Sequence, residues 1–170
     1  MEAVKIILFS VLAAVGYGIL HDQVTAHLCV EYFTVAHPPV FPTESPFLLA
    51  LGWGVIATWW VGLPLGLGAA AAARIGAWHK IAFAEIRLMV FRLLAVMAMC
   101  AVLTGAAMAY LVATERMAVP GGWELFIPQN KWVAFSFDAG AHLASYVTGG
   151  LGGLFLIARI VLMRIRHGRP

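Results

Sequence analysis

Four long apolar segments constrain the fold of this chain more than any other feature of its sequence. They cover about residues 6–26, 46–73, 82–114 and 132–163. Each is long enough to cross the hydrocarbon core of a bilayer, which takes about 20 residues at 1.5 Å per residue. Hydrophobic residues make up 62% of the chain and charged residues 11%, against about 25% charged in soluble domains. We therefore expect an integral membrane protein in contact with the lipid bilayer.

Helix is the expected form of all four segments, because a helix satisfies its backbone groups internally and no alternating barrel pattern is present. Ser45 followed by Pro46 predicts the N-cap and first turn of the second span, and Pro64 predicts a kink within it. Glycines one turn apart predict close helix packing: Gly62 with Gly66, and Gly149 with Gly153. The predicted fold is an all-α, four-transmembrane-helix bundle, with residues 1–170 forming one transmembrane domain.

Basic residues lie at positions that the four spans bring to one side of a membrane. These residues are Lys5, then Arg74, Lys80, Arg87 and Arg92, then Arg159, Arg164, Arg166 and Arg169. The positive-inside rule predicts that both termini are cytoplasmic. The expected location is a bacterial inner membrane, with the remaining two loops on the exoplasmic side.

The net charge of +3 is explained by these cytoplasmic helix ends, where basic residues meet anionic headgroups. We therefore expect no nucleic-acid partner. No small-x-small cleavage site lies between the first span and the polar cluster that follows it. We expect it to be retained as a membrane helix, not removed as a signal peptide.

A polar cluster at the end of the first span stands out in this apolar chain. It includes His21, Asp22, His27 and Glu31, with His37 in the following loop. Counted from the basic residues at 1.5 Å per residue, His21 lies roughly 25 Å above the cytoplasmic boundary. The cluster therefore falls at the exoplasmic end of the bundle.

Two residues of the fourth span are expected at similar depths. His142 also lies roughly 25 Å up, level with His21, while Asp138 and His27 lie roughly 32–35 Å up. Asp138 and His142 are four residues apart and share a helix face, as do His27 and Glu31 if the first helix extends beyond the membrane. Helical bundles present metal ligands, or a histidine with its orienting carboxylate, in this way.

The leading hypothesis is a transition-metal site at the exoplasmic end of the bundle. The candidate ligands are His21, Asp22, His27, Glu31, Asp138 and His142. Imidazole and carboxylate ligands suit zinc or iron, and copper also fits. Such a protein is a metal-dependent oxidoreductase or hydrolase if one coordination position stays open. The simpler alternative is that these pairs only dock one helix on another.

Two other classes of function remain open from the sequence. His21 and His142 at equal depth on different helices fit bis-histidine ligation of haem b in an electron carrier. Short loops and packing glycines also fit a non-catalytic accessory subunit of a larger membrane complex, with partner subunits or a homo-oligomer.

Overall fold

The computed structural model describes residues 1–167, and Arg169, one of the basic residues counted above, lies outside them. The described chain forms six α-helices. They are α1 (Glu2–Leu28), α2 (Val30–Thr34), α3 (Pro46–Ile56), α4 (Trp59–Arg74), α5 (Phe83–Ala113) and α6 (Trp132–His167). Two short 3₁₀ turns, Pro120–Leu125 and Gln129–Lys131, connect α5 to α6.

Four helical segments are long and apolar enough to cross a membrane: α1, α3 together with α4, α5, and α6 with the turn before it. Their outer faces expose large apolar side chains, including Leu12, Leu103 and Phe155 at 63–68% exposure. Side chains of this kind are suited to lipid contact and not to water. The predicted all-helical architecture with four long apolar spans is confirmed for residues 1–167.

The helices form two packed groups. α1 lies along α3 and α4, while α5 and α6 pack on each other over much of their length. The groups meet where α4 contacts α6 and α1 contacts α5. We call the end that carries His21 and His142 the polar end, and the end that carries Lys5 and Arg164 the basic end.

The second span is interrupted at Ala57 and Thr58, not at Pro64. α3 ends at Ile56 and α4 begins at Trp59, and α4 then continues through Pro64. The Thr58 hydroxyl donates to the Gly54 carbonyl at 2.5 Å, a bond to the preceding turn that often bends helices. This interruption was not predicted, and the kink at Pro64 stays a prediction. The Ser45 cap is confirmed, since its hydroxyl accepts from Leu48 N–H at 3.5 Å.

The two glycine pairs have different packing roles. A Cβ on Gly62 would lie 2.9 Å from the Ser10 carbonyl oxygen of α1, so this pair allows the close backbone approach that was predicted. A Cβ on Gly149 or Gly153 would instead meet the side chains of Met97 and Leu65, at 3.0 and 2.7 Å. The second pair makes room for side chains of neighbouring helices.

The basic end is tied together by a buried arginine. Arg164 is 2% exposed, and its guanidinium donates to carbonyl oxygens of the α4 end and the following loop. These acceptors are Ala72 (2.5 Å), Ile75 (2.8 Å), Trp78 (3.2 Å) and His79 (2.6 Å). The last helix is thereby fixed to the connection between α4 and α5.

Candidate metal centre

His21, Asp22 and His142 come together at the polar end, joining the first span to the last. One ligand atom from each of the three lies within 4.8 Å of the others. The His142 Nε2 atom is 3.3 Å from Asp22 Oδ1, and the His21 and His142 rings meet edge to face with centroids 4.6 Å apart. The equal depth predicted for the two histidines is confirmed.

The three residues are held away from solvent. Asp22 is 5% and His142 is 8% exposed, and the Nε2 atom of His21 is buried without a hydrogen-bond partner. A buried polar atom left unpaired is costly. The His21 Nε2 atom is therefore available to a ligand in this arrangement.

The hydrogen bonding of His142 defines what faces Asp22. Its Nδ1 atom lies 2.8 Å from the Asp138 carbonyl oxygen, and a carbonyl can only accept. Nδ1 therefore carries a hydrogen, which in a neutral imidazole leaves an Nε2 lone pair directed at the Asp22 carboxylate. Two acceptors at 3.3 Å require a cation between them, either a proton or a metal ion.

An aromatic wall encloses the cluster on the loop side. α2 contributes Tyr32 and Phe33, whose ring centroids lie 4.5 and 5.7 Å from the His142 ring. On α1, the Tyr17 ring stacks on His21 at 5.7 Å. Apolar ring faces around charged groups exclude water, which strengthens electrostatic interactions inside.

The first helix ends before Glu31, so His27 and Glu31 do not share a helix face. Cys29 adopts an extended conformation (φ −147°, ψ 90°) between α1 and α2, and this break makes the predicted four-residue register wrong. His27 is exposed, and its Nδ1 atom bonds to the Gln23 carbonyl at 2.7 Å. Glu31 forms an ion pair with Lys131 at 3.1 Å. Neither side chain belongs to the three-residue cluster.

Asp138 lies next to the cluster without joining it through its side chain. It is 0% exposed, and both carboxyl oxygens are buried with no hydrogen-bond partner. Its backbone carbonyl is the group that orients His142.

The pKa of Tyr32, in the aromatic wall, is raised mainly by burial and further by the nearby Tyr146, Asp138 and Asp22.

His37 is a neighbour that sequence reasoning missed, since it was interpreted as a loop residue. Its ring packs against Trp53 and Tyr32 with centroids 4.8 and 5.0 Å away, and its Nδ1 atom lies 2.7 Å from the Tyr32 carbonyl oxygen. Burial lowers the pKa of His37. Pro38 and Pro39, directly after it, were the available signal for a rigid turn that directs the loop back over the bundle.

A cavity of about 140 Å³ leads from the cluster into the bundle. His21, Asp22, His37 and His142 line its upper part, and its lining reaches Ser10 of α1 and Leu156 of α6. The site therefore opens towards the interior between the two helix groups.

No known protein-family model matches this sequence, and no curated protein or solved structure is significantly similar to it. The chemistry of the cluster and of its cavity must therefore carry the functional assignment.

Proposed function

We propose that the chain is an integral membrane metalloprotein that binds one transition-metal ion through His21, Asp22 and His142. The observation that carries this proposal is the pair of facing acceptors, His142 Nε2 and Asp22 Oδ1, beside the unpartnered Nε2 of His21. A proton can be shared only between His142 Nε2 and Asp22 Oδ1. A metal ion can bind one atom from each of the three residues, since these ligand atoms lie within 4.8 Å of one another.

The distances suit a small transition metal. Two ligand atoms at about 2.0–2.1 Å from a tetrahedral zinc ion lie about 3.3 Å from each other. The His142 Nε2 to Asp22 Oδ1 distance is 3.3 Å, and all three ligand atoms lie within 4.8 Å.

Two histidines and one carboxylate form the ligand set of catalytic zinc sites and of non-haem iron sites. Three protein ligands leave at least one coordination position for water or a substrate. Zinc at this position acts as a Lewis acid or activates water, whereas iron supports redox chemistry. Zinc and iron are the metals we favour, ahead of copper.

The same geometry favours a bare metal ion over haem. Bis-histidine ligation places the iron and the porphyrin between two imidazoles. Here the His21 and His142 rings are in direct edge-to-face contact, so no macrocycle fits between them in this arrangement.

The proposal includes the orientation of the protein in its membrane. Basic residues lie at the end opposite the metal site, so the positive-inside rule supports cytoplasmic termini. The metal site then faces the exoplasmic side of a bacterial inner membrane.

Elemental analysis of the purified full-length protein tests this function. After exposure to zinc or ferrous iron and removal of free metal, we expect about one ion per chain in the wild type. His142→Ala and the near-isosteric Asp22→Asn are expected to lose the ion. His27→Ala is the matched control, because His27 is an exposed histidine on the same helix and it lies outside the cluster.

Cobalt substitution adds a spectroscopic criterion. Cobalt bound through His21, Asp22 and His142 gives visible bands that disappear in Asp22→Asn and persist in His27→Ala. A folded wild type that binds neither zinc nor iron, or an Asp22→Asn variant that retains the ion, would contradict the proposal.

A further inference from the structure

The cavity below the metal site changes from polar to apolar with depth. Four of its polar side chains away from the cluster are already bonded within the protein: Ser10 donates to the Ile6 carbonyl, Thr58 donates to the Gly54 carbonyl, and the Tyr17 and Ser145 hydroxyls bond to each other. At the upper end, His21 keeps an unpartnered nitrogen. A molecule that fills this space therefore needs one polar end and an apolar body.

The length of the cavity suits a hydrocarbon chain. From His142 to Leu156 the lining follows α6 for fourteen residues, or about 21 Å. With C–C bonds of about 1.5 Å in a zigzag, an extended chain of roughly sixteen carbons spans this length.

The volume agrees with a single chain. The cavity volume of about 140 Å³ is many times the roughly 10–15 Å³ that admits a single water molecule. The cavity can therefore hold a molecule that extends along its length. A lipid with one chain matches a cavity with one polar end.

The cavity reaches the outer surface of the bundle beside α6. Tyr146 lines the cavity and is also 51% exposed. Gly150, one turn further along α6, lines the cavity as well, and a Cβ added there meets no atom within 4 Å. Both positions lie within an apolar span, so the opening faces lipid and not water.

We infer that this cavity binds a single-chain lipid, with its hydrocarbon tail between the two helix groups and an oxygen-bearing head group at the metal. The inference deepens the proposed function and rests on it, because it names the substrate class of the same site. The lipid reaches the site sideways from the bilayer, past Tyr146 and Gly150. A long-chain fatty acid carries the required chemistry, since a carboxylate is a metal ligand.

Native mass spectrometry of the detergent-purified, metal-loaded protein, titrated with palmitic acid, tests the inference. We expect one palmitate per chain in the wild type, and no equivalent binding of two-chain dipalmitoyl phosphatidylcholine. Gly150→Leu should weaken palmitate binding at least tenfold, and Gly150→Phe should weaken it further, because each side chain grows into the cavity.

Gly16→Leu is the matched control. Gly16 is also a glycine within a helix, and a Cβ there also meets no atom within 4 Å, but Gly16 does not line the cavity. We expect Gly16→Leu to bind palmitate like the wild type. All three glycine variants should keep one metal ion per chain, since none changes a ligand.

The two proposals fail in distinguishable ways. If the Gly150 variants keep wild-type palmitate affinity, or if palmitate binding does not saturate at one per chain, the lipid inference is overturned while the metal site stands. If the wild type holds no metal, the proposed function fails whatever the lipid result. Palmitate affinity that is unchanged in metal-free Asp22→Asn would overturn the contact between the head group and the metal.

Discussion

Asp22 and Asp138 are both buried carboxyl residues at the polar end, but their surroundings differ. Asp22 has an oxygen 3.3 Å from His142 Nε2, whereas both oxygens of Asp138 lack a partner. Asp138 acts on the site through its backbone carbonyl, which holds His142 Nδ1 at 2.8 Å. The two carboxyl groups therefore have separable roles.

Replacing each aspartate by asparagine should separate these roles. Asp22→Asn removes a proposed metal ligand, and loss of groups even outside a ligand set typically costs 10–100-fold in metal affinity. We expect Asp22→Asn to weaken zinc binding by about 100-fold or more. Asp138→Asn keeps its backbone carbonyl and should change the zinc Kd by less than about threefold. Competition with a chromophoric chelator measures both values, and equal losses would show that the Asp138 side chain is also a ligand.

At the residue scale, the sequence predicted the contact between His21 and His142 because the rise of a helix is constant. Counting from basic residues was enough to place both at one level. It did not predict the Glu31–Lys131 ion pair, since that contact depends on the extended conformation of Cys29. Because Cys29 leaves helical geometry, the side chains after it point in directions that helical spacing along α1 does not predict.

At the scale of elements, α1 and α3 pack closely at a glycine. A Cβ on Gly54 would lie 2.5 Å from the Ile19 backbone nitrogen, and backbone atoms cannot move aside as a flexible side chain can. Any larger residue forces the two helices apart. The spacing of α1 from α3 therefore depends on this position.

Gly54→Ala should lower the free energy of unfolding by about 1–3 kcal/mol, the usual cost of overpacking. Gly150→Ala, where a Cβ meets no atom within 4 Å, should be neutral or stabilising by up to about 1 kcal/mol because alanine favours helix. Thermal unfolding in detergent micelles compares the two variants. A Gly54→Ala protein as stable as the wild type would show that α1 and α3 tolerate separation.

The Glu31–Lys131 ion pair links α2 to the start of α6. Partial burial works to raise the pKa of Glu31, but hydrogen bonds from its own N–H, Lys131 and Cys29 outweigh burial and lower this pKa below its usual value of 4.5. A lowered pKa means that the folded state favours the charged carboxylate. The contribution of this ion pair to the stability of the folded state is therefore present above pH 4.5. It is lost as the pH falls through the lower, folded-state pKa of Glu31.

Lys131→Met should reduce stability by about 0.5–1 kcal/mol at pH 7, as is usual for a partly exposed ion pair. The difference from the wild type should become smaller as the pH falls below 4.5, because Glu31 is then increasingly protonated. Unfolding midpoints measured at pH 7 and at several values below pH 4.5 test this expectation, with Glu44→Gln as a control at an exposed carboxylate. An equal loss at every pH would assign the effect to packing of the lysine side chain.

Elements were predicted well where their ends carry local signals, and less well inside the second span. Ser45 and Pro46 mark the start of α3. Pro64 predicts a kink inside the span, but the break at Ala57 and Thr58, where the helix meets Gly18 of α1, was not predicted. That break depends on contacts between helices, which residue spacing along one span does not contain.

At the scale of the whole molecule, the distribution of charge makes the orientation testable. Glu44 is exposed at the polar end and Ala77 is exposed at the basic end. With Cys100 replaced by serine, a membrane-impermeant maleimide should label Glu44→Cys in intact cells. Ala77→Cys should react only after the membrane is opened.

The parent protein without an added cysteine is the control, since Cys29 is 0% exposed and should not react. Labelling of Ala77→Cys in intact cells, with Glu44→Cys protected, would reverse the orientation. The metal site would then face the cytoplasm, although its ligands would be unchanged.

The proposed metal site would draw its ligands from the first and the last span, and this has a consequence for biosynthesis. His21 and Asp22 leave the ribosome early, whereas His142 emerges only when most of the chain has been made. On the proposed function, metal capture by all three residues must follow synthesis of the fourth span. A chain truncated before that span lacks His142, so loading with metal would report that translation reached the last helix.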